Sequence, residues 1–579
     1  MLPSSTVPAM VTITNFQMNS SLKRLTILTG YLLMANTLFA FDRQDSLRGS
    51  NGHGRRWWDV QHYELQFNLD TANRSLSGRN RMSFTVPASV GDSMQIDLQE
   101  PMLLDSAIYE QQSLPLFREG NVYWLTDLKQ HIPAGKKQYR LDLYYQGRPR
   151  TALRPPWDGG LIWTKDSTGN PWISVACQGL GASSWWPCKD DQNDEPDKGV
   201  KVLTPEGIAA IPGTFFVSNG RQEINKAYSK APEAGPGTLK NKGSWWAVTN
   251  PINTYDVCFY LGDYTQWTDT FNGIKGRLDL GFYPLRYNEA KAREQFKQVK
   301  QMLRAFEYWF GPYPFYEDGY KIVEAPFLGM EHQSAVAYGN LYQQGYRGKD
   351  RSGTGVGLLF DFIIVHESGH EWFGNSVTAA DIADNWIHEG FTTYSETLFT
   401  EYWFGKEKAF EYSRGEWKNI RNDRPVIGSY GVNDAGSGDK YDKGSALVHT
   451  IRLLLNDDQR FRDLLHAICD TFRHRQITSA QLEAFIIRYS GLKLQPIFDQ
   501  YLRSTEIPEL EYRYDRNKLQ FRFQHTVPGF SLPVPVLING RTLTIRPREI
   551  WQSIAPRKTI DSCAIPQTFL LRVTELPKE

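Results

Sequence analysis

The chain has 579 residues, with 65 Lys and Arg against 64 Asp and Glu, for a formal net charge of +1. So even a balance argues against a dedicated nucleic-acid binder, which carries a basic excess, and 40% hydrophobic with 22% charged residues excludes a disordered or fibrous chain. Five cysteines are too few and too scattered for a disulfide framework.

Residues 1–40 read as a targeting segment. Lys23 and Arg24 precede an apolar run from Leu25 to Met34, and Ala40 is a small residue at a cleavage-like point. A charged start, a short apolar stretch and a small-residue exit make a secretory signal, with Met18 the expected start of translation. The run is too short and too interrupted by Thr to span a bilayer comfortably. An exported chain, periplasmic or secreted, without stable membrane insertion is therefore expected; an uncleaved anchor is the minor alternative.

Three regimes follow, and together they predict a multidomain α+β protein. Over 41–268 the pattern alternates at period two, as in Tyr63/Leu65/Phe67/Leu69, Met82/Phe84/Val86, Met94/Ile96/Leu98 and Leu141/Leu143/Tyr145. Each run puts one apolar face on a strand, which gives an N-terminal antiparallel β domain. Over 269–505 the period becomes helical. Phe296, Val299, Met302, Leu303, Phe306 and Phe310 share a face, and Gly311-Pro312 stops that helix. Residues 358–373, 385–404 and 443–456 are further helical candidates. From 506 to 579 the alternation returns, with Leu510/Tyr512/Tyr514 and Leu519/Phe521/Phe523, and Asn539-Gly540 reads as a type I′ hairpin turn. This last stretch predicts a small C-terminal β unit of sandwich type.

The chemistry concentrates in the middle region. His366-Glu367-Ser368-Gly369-His370 is an H-E-x-x-H motif within an apolar helical run. Helix positions four apart share a face, so both imidazoles can reach one metal ion, with Glu367 beside them to act on water. A catalytic zinc takes three protein ligands. The next predicted helix offers Glu389, and Glu396, seven residues on, falls on the same face, where it can accept the second ring N–H of a ligand imidazole. His388 is a rival third ligand, although it projects about 100° away from Glu389 around the helix.

These residues carry a family resemblance. The segment His366–Asn375 (HESGHEWFGN), followed after a spacer by Glu389-Gly-Phe-Thr-Thr-Tyr-Ser-Glu396, resembles the M1 (gluzincin) aminopeptidases. Leu328-Gly-Met-Glu331-His332 is similar to their Gly-Ala-Met-Glu-Asn exopeptidase motif. Tyr441-Asp-Lys443-Gly444 resembles their Tyr-Glu-Lys-Gly segment, and Cys177-Gln178-Gly179 with Trp186-Pro187-Cys188 resembles the substrate-site strand of their β domain. The resemblance implies a thermolysin-like mixed α/β catalytic domain over 269–505. It also implies one zinc ion held by His366, His370 and Glu389, with Glu396 supporting the ligands. Glu367 would be general base toward a metal-activated water, and Tyr441 would stabilise the oxyanion. Glu331, with Gln178, Gly329 and Met330, would bind substrate, Glu331 through the α-ammonium of a peptide with a free N-terminus. Too few residues follow Leu502 for the family's usual helical C-terminal domain, so epoxide hydrolysis, seen in one branch, is not expected.

Leu328 and His332 depart from the exopeptidase motif, and they bear on substrate preference, since Gly at the first position lets substrate backbone approach closely. The rival functions are a zinc metalloendopeptidase with the same metal set, against which Glu331 argues, and a non-catalytic peptidase-like scaffold, against which the full set of ligands and base argues. Gly353-Thr-Gly-Val-Gly357 is an incomplete phosphate-loop pattern and reads as a flexible entry to the metal helix. Cys177 and Cys188 are expected to be free thiols.

Overall fold

The computed structural model describes residues 41–205, 214–223 and 245–577; the expected signal segment lies outside them. Among the described residues no helix is long and apolar enough to cross a membrane.

The first β region is built as the alternation requires. The strand Asp59–Asp70 buries Tyr63, Leu65 and Phe67 and pairs antiparallel along its length with the strand Ser75–Thr85, which in turn pairs with Tyr139–Gly147. These lie in an eight-stranded sheet, while the strands Gly160–Lys165 and Pro171–Ala176 lie in a second, four-stranded one. One pairing departs from the antiparallel expectation: Asp59–Asp70 runs parallel to Val200–Leu203, with Tyr63 opposite Val200. The strand Met94–Asp97 departs from simple alternation, since all four of its residues are buried. An ion pair is sealed at the end of this strand. Arg55, fully buried, lies 2.7 Å from Asp97, and Asp97 also accepts the Asp190 amide at 2.8 Å. Removing one partner of such a pair strands a desolvated charge, so Asp97→Ala is expected to cost about 3–5 kcal/mol, read as a lowered midpoint of denaturant unfolding.

The strand Trp267–Gly273 crosses the expected 268/269 boundary and belongs to a five-stranded sheet with Gly276–Tyr283, Tyr320–Glu324, Val336–Tyr338 and Gly329–Met330. Both faces of this sheet are packed. Leu280, Ile322 and Tyr338 enter the core of the helical region, whereas Val323, Ala325, Met330 and Ala337 enter the core of the β region. The helix Lys297–Phe310 lies in the helical core through Val299, Met302, Leu303 and Phe306, and Gly311 ends it at φ 89°.

The helices Trp386–Phe404 and Asp442–Leu455 agree closely with expectation. The metal-motif helix is shorter than expected, running from Phe362 to Gly369 rather than over 358–373. Asp361 starts it by accepting the amides of Ile363 and Ile364. At its end Glu371 and Trp372 bond back three residues, to Ser368 and Gly369, the tightening that commonly closes a last turn. The preceding glycine-rich stretch is ordered by the Asp350 carboxylate, which collects the amides of Ser352 and Gly355, so those groups are not free to cradle a phosphate.

The final region forms a four-stranded and a three-stranded sheet. Asn539 and Gly540 both adopt positive φ between Val534–Ile538 and Arg541–Ile545, as a type I′ turn requires. Leu510, Phe521 and Phe523 share one core with Ile497 and Tyr501 of the helical region.

Candidate metal and peptide site

Two helices deliver the metal-ligand set. His366 and His370 sit one turn apart, their ring centroids separated by 5.0 Å. Glu389 Oε2 lies 3.4 Å from His370 Nε2 and 3.9 Å from His366 Nε2. The other ring nitrogens are committed. His366 Nδ1 meets Glu396 Oε1 at 2.7 Å, and His370 Nδ1 donates to the Phe373 carbonyl at 3.0 Å. Both Nε2 lone pairs are thereby aimed at Glu389 Oε2, which is buried and has no hydrogen-bond partner among the described residues. Donor atoms of the three residues all lie within 4.8 Å of one another. Two imidazole nitrogens and a carboxylate oxygen converging in a buried place fit a zinc ion, with room for a further ligand.

Glycines permit this convergence. A Cβ on Gly390 would come 3.0 Å from the Gly444 Cα, so the helices carrying Glu389 and following Tyr441 touch backbone to backbone. That contact brings the Tyr441 hydroxyl within 3.0 Å of Glu389 Oε1. Burial, and then the adjacent Glu389, hold the Tyr441 phenol well above its usual range, so it keeps the proton it donates.

Glu396 supports the set from behind. Its second oxygen accepts the Tyr412 hydroxyl, so the carboxylate fixes both position and tautomer of His366. Glu396→Ala is expected to weaken metal affinity about 10–100-fold, measured by competition with a chromogenic chelator.

The remaining expected residues line one cavity of about 320 Å³ together with the metal set: Gln178, Gly329, Met330, Glu331, Glu367 and Tyr441. Gln178 Nε2 donates to Glu331 Oε1 and also to Glu389 Oε1, at 3.3 Å, and so bridges the two carboxylates. A Cβ at Gly329 would fall 2.7 Å from Glu367 Oε1, which explains the absence of a side chain there. Burial raises the Glu331 carboxyl, and Glu389 adds to this against the pull of His370. Glu367 is raised well above its usual range by burial first and then by Glu331.

The rival ligand His388 is not in the set. Its Nε2 accepts the Ala379 amide at 2.8 Å, and it secures the strand Val377–Ala379 instead. His332, the departure from the exopeptidase motif, turns to Tyr260, 2.6 Å from Nδ1, and is fully buried. Leu328, the other departure, lines the cavity. Cys177 and Cys188 are buried free thiols. Two contributors carried no signal of their own in the sequence. Tyr255 donates to Glu331 Oε1 at 3.1 Å from a short turn, Thr254–Asp256. Asn375, named above only as the last residue of the His366–Asn375 segment, donates to the Glu331 carbonyl at 2.8 Å.

The chain is similar to known proteins. Residues 295–501 match the Peptidase family M1 domain. The chain is 25% identical over 414 residues to aminopeptidase B of Mus musculus, and 25% identical over 398 residues to leukotriene A-4 hydrolase of Xenopus laevis. In both cases 63% of this chain is covered, and the chain spans 58% of the length of these curated relatives. Among solved structures, the M1 zinc metallopeptidase from Deinococcus radiodurans superposes with a TM-score of 0.60 at 20% identity, over 78% of this chain and 95% of the other. A variant of that protein bound to a Tyr-Ser-Ala substrate gives a TM-score of 0.59 with the same coverage. The matched stretch spans the helix with His366 and His370, the helix with Glu389 and the Tyr441 segment, so residues 295–501 of this chain are similar to the peptidase family M1 domain.

Proposed function

We propose that the protein is a zinc aminopeptidase that removes N-terminal residues from peptides. The observation that carries this reading is the Gln178 bridge between Glu331 and the metal ligand Glu389. It sets a buried carboxylate beside the metal set, within the same cavity, where a free α-ammonium can neutralise it. An internal peptide nitrogen has no charge with which to offset that desolvation, so the anchor favours chain ends.

His366, His370 and Glu389 would hold the zinc, whose Lewis acidity polarises a carbonyl oxygen and eases deprotonation of water. Glu331, Gln178 and Tyr255 bind and orient the amino terminus. Glu367, set over Gly329, takes the proton from the attacking water and returns it to the leaving amine. Tyr441 donates its hydroxyl hydrogen to the oxyanion that forms on the scissile carbonyl.

The test is hydrolysis of aminoacyl-arylamides beside their N-acetylated forms, with and without a chelator. Chelator-sensitive cleavage of the free-amine set alone is expected. Cleavage of interior bonds in blocked peptides would make the protein an endopeptidase, and zinc binding without any cleavage would make it a scaffold.

We also propose export, on the strength of Lys23-Arg24 and the apolar run behind them. Mass spectrometry of the mature N-terminus tests it: a chain that still carries residues 18–40 would reject a cleaved signal, and recovery of residues 1–17 would reject Met18 as the start of translation.

A further inference from the structure

Between the strands Tyr139–Gly147 and Gly160–Lys165 the chain makes a turn whose sequence is Ala152-Leu-Arg-Pro-Pro-Trp-Asp158. The Asp158 carboxylate accepts the amides of Leu153 at 2.7 Å and Arg154 at 2.9 Å. The Trp157 amide bonds to the Arg154 carbonyl at 2.9 Å, and Gly159 to the Pro156 carbonyl at 3.2 Å. At its base the Ala152 amide bonds to Leu161 at 2.9 Å. The backbone of this turn is therefore tied on itself, and two prolines remove further freedom. Yet two apolar side chains of the turn stay in water, Leu153 at 84% exposure and Trp157 at 69%, and of these Trp157 lines the cavity of the metal set. An indole so displayed is a large apolar surface left in water, and rigid display spares the ordering cost that binding otherwise incurs.

The direction of display gives it meaning. Pro156 and Trp157 line the same cavity as Gln178, Met330, Glu331 and the metal set. The carboxylate of Glu331 answers to the amino terminus, that of Glu367 to the reacting bond and that of Glu389 to the metal; the indole answers to none of these, and matches an apolar surface.

Resting on the aminopeptidase reading, we propose that Trp157 is a specificity-determining residue, its indole covering an aromatic or large aliphatic side chain among the first three residues of a bound peptide.

The experiment compares Phe-Ala-Ala, Ala-Phe-Ala and Ala-Ala-Phe with Ala-Ala-Ala on the wild-type protein, Trp157→Ala and Trp157→Phe. Burial of one aromatic side chain against another corresponds to a factor of about 10–100. The wild type is expected to show a KM lower by about ten-fold or more for one Phe peptide relative to Ala-Ala-Ala. Trp157→Ala should erase that KM ratio while the kcat ratio stays, and Trp157→Phe should restore most of it. A uniform change across all four peptides, or none, overturns the proposal. Calorimetric binding of the same peptides to zinc-loaded Glu367→Gln protein separates the two readings. Binding that prefers a Phe peptide and depends on Trp157, without cleavage by the wild type, would remove the peptidase reading alone; binding without that dependence removes the role of Trp157.

Discussion

Glu367→Gln is expected to retain one equivalent of zinc and the wild-type melting temperature while kcat falls by about 10²–10⁴-fold. The residue lies outside the ligand set: it is His366, His370 and Glu389 whose donor atoms converge, so the metal should survive the change. Gln preserves the shape that fits over Gly329, where even a methyl group would collide with the carboxylate. What it loses is the capacity to take a proton. Burial and the nearby Glu331 give the Glu367 carboxyl an unusually high proton affinity, which suits a group that must accept a proton and then pass it on. Metal analysis and turnover measured on the same preparation check the result; substantial residual cleavage would remove the assigned mechanism.

Glu331→Gln is expected to act on a different quantity. Replacing the anchor with a neutral amide leaves a substrate ammonium in a buried place without its counter-charge, a loss of about 2–5 kcal/mol or roughly 30- to 4000-fold in kcat/KM. The penalty should appear in the turnover and binding of free-amine arylamides and leave the binding of their N-acetylated forms unchanged, so the difference in affinity between them should narrow. Tyr255 and Gln178 would still donate to the amide oxygen at this position, and the pocket should keep its shape. Steady-state kinetics on the free arylamides, with calorimetric binding of both free and acetylated forms, decide the matter: an equal loss of affinity for both would assign Glu331 to structure rather than to amine recognition.

Period and spacing carried much of this site, and it is instructive where they stopped. Strand runs such as Tyr63/Leu65/Phe67 were legible because one face is buried and one is not. The pairs His366/His370 and Glu389/Glu396 were legible because a helix repeats its face every three to four residues; the choice of Glu389 over His388 as third ligand rested on the family resemblance, and the structure brings all four together. The end of the metal helix was misplaced by several residues, because apolar composition continues through Trp372 and Phe373 while the hydrogen bonding has already tightened. Met94–Asp97 shows the same limit in the β region, where burial on both faces leaves alternation without meaning. Tyr255 was invisible for another reason. Its partner Glu331 is 76 residues away, and no local pattern encodes a hydrogen bond that only the packing of two regions creates. Trp157 was hidden likewise, since its exposure depends on how Asp158 folds the turn back on itself.

The sheet that serves two cores has a consequence for how the protein would measure its substrate. Ile322 and Val323 are consecutive, yet one belongs to the helical side and the other to the β side. A layer gripped on both faces offers no plane along which the halves could slide without opening a core. The strand Gly329–Met330, which leads directly into Glu331, is part of that layer. The amine anchor and the metal set both accept from the single Nε2 of Gln178, so only a short span separates them, and its Glu331 end is held by pleated backbone. In the proposed reading the sheet is a ruler one residue long, and the protein shortens peptides stepwise because the ruler does not stretch.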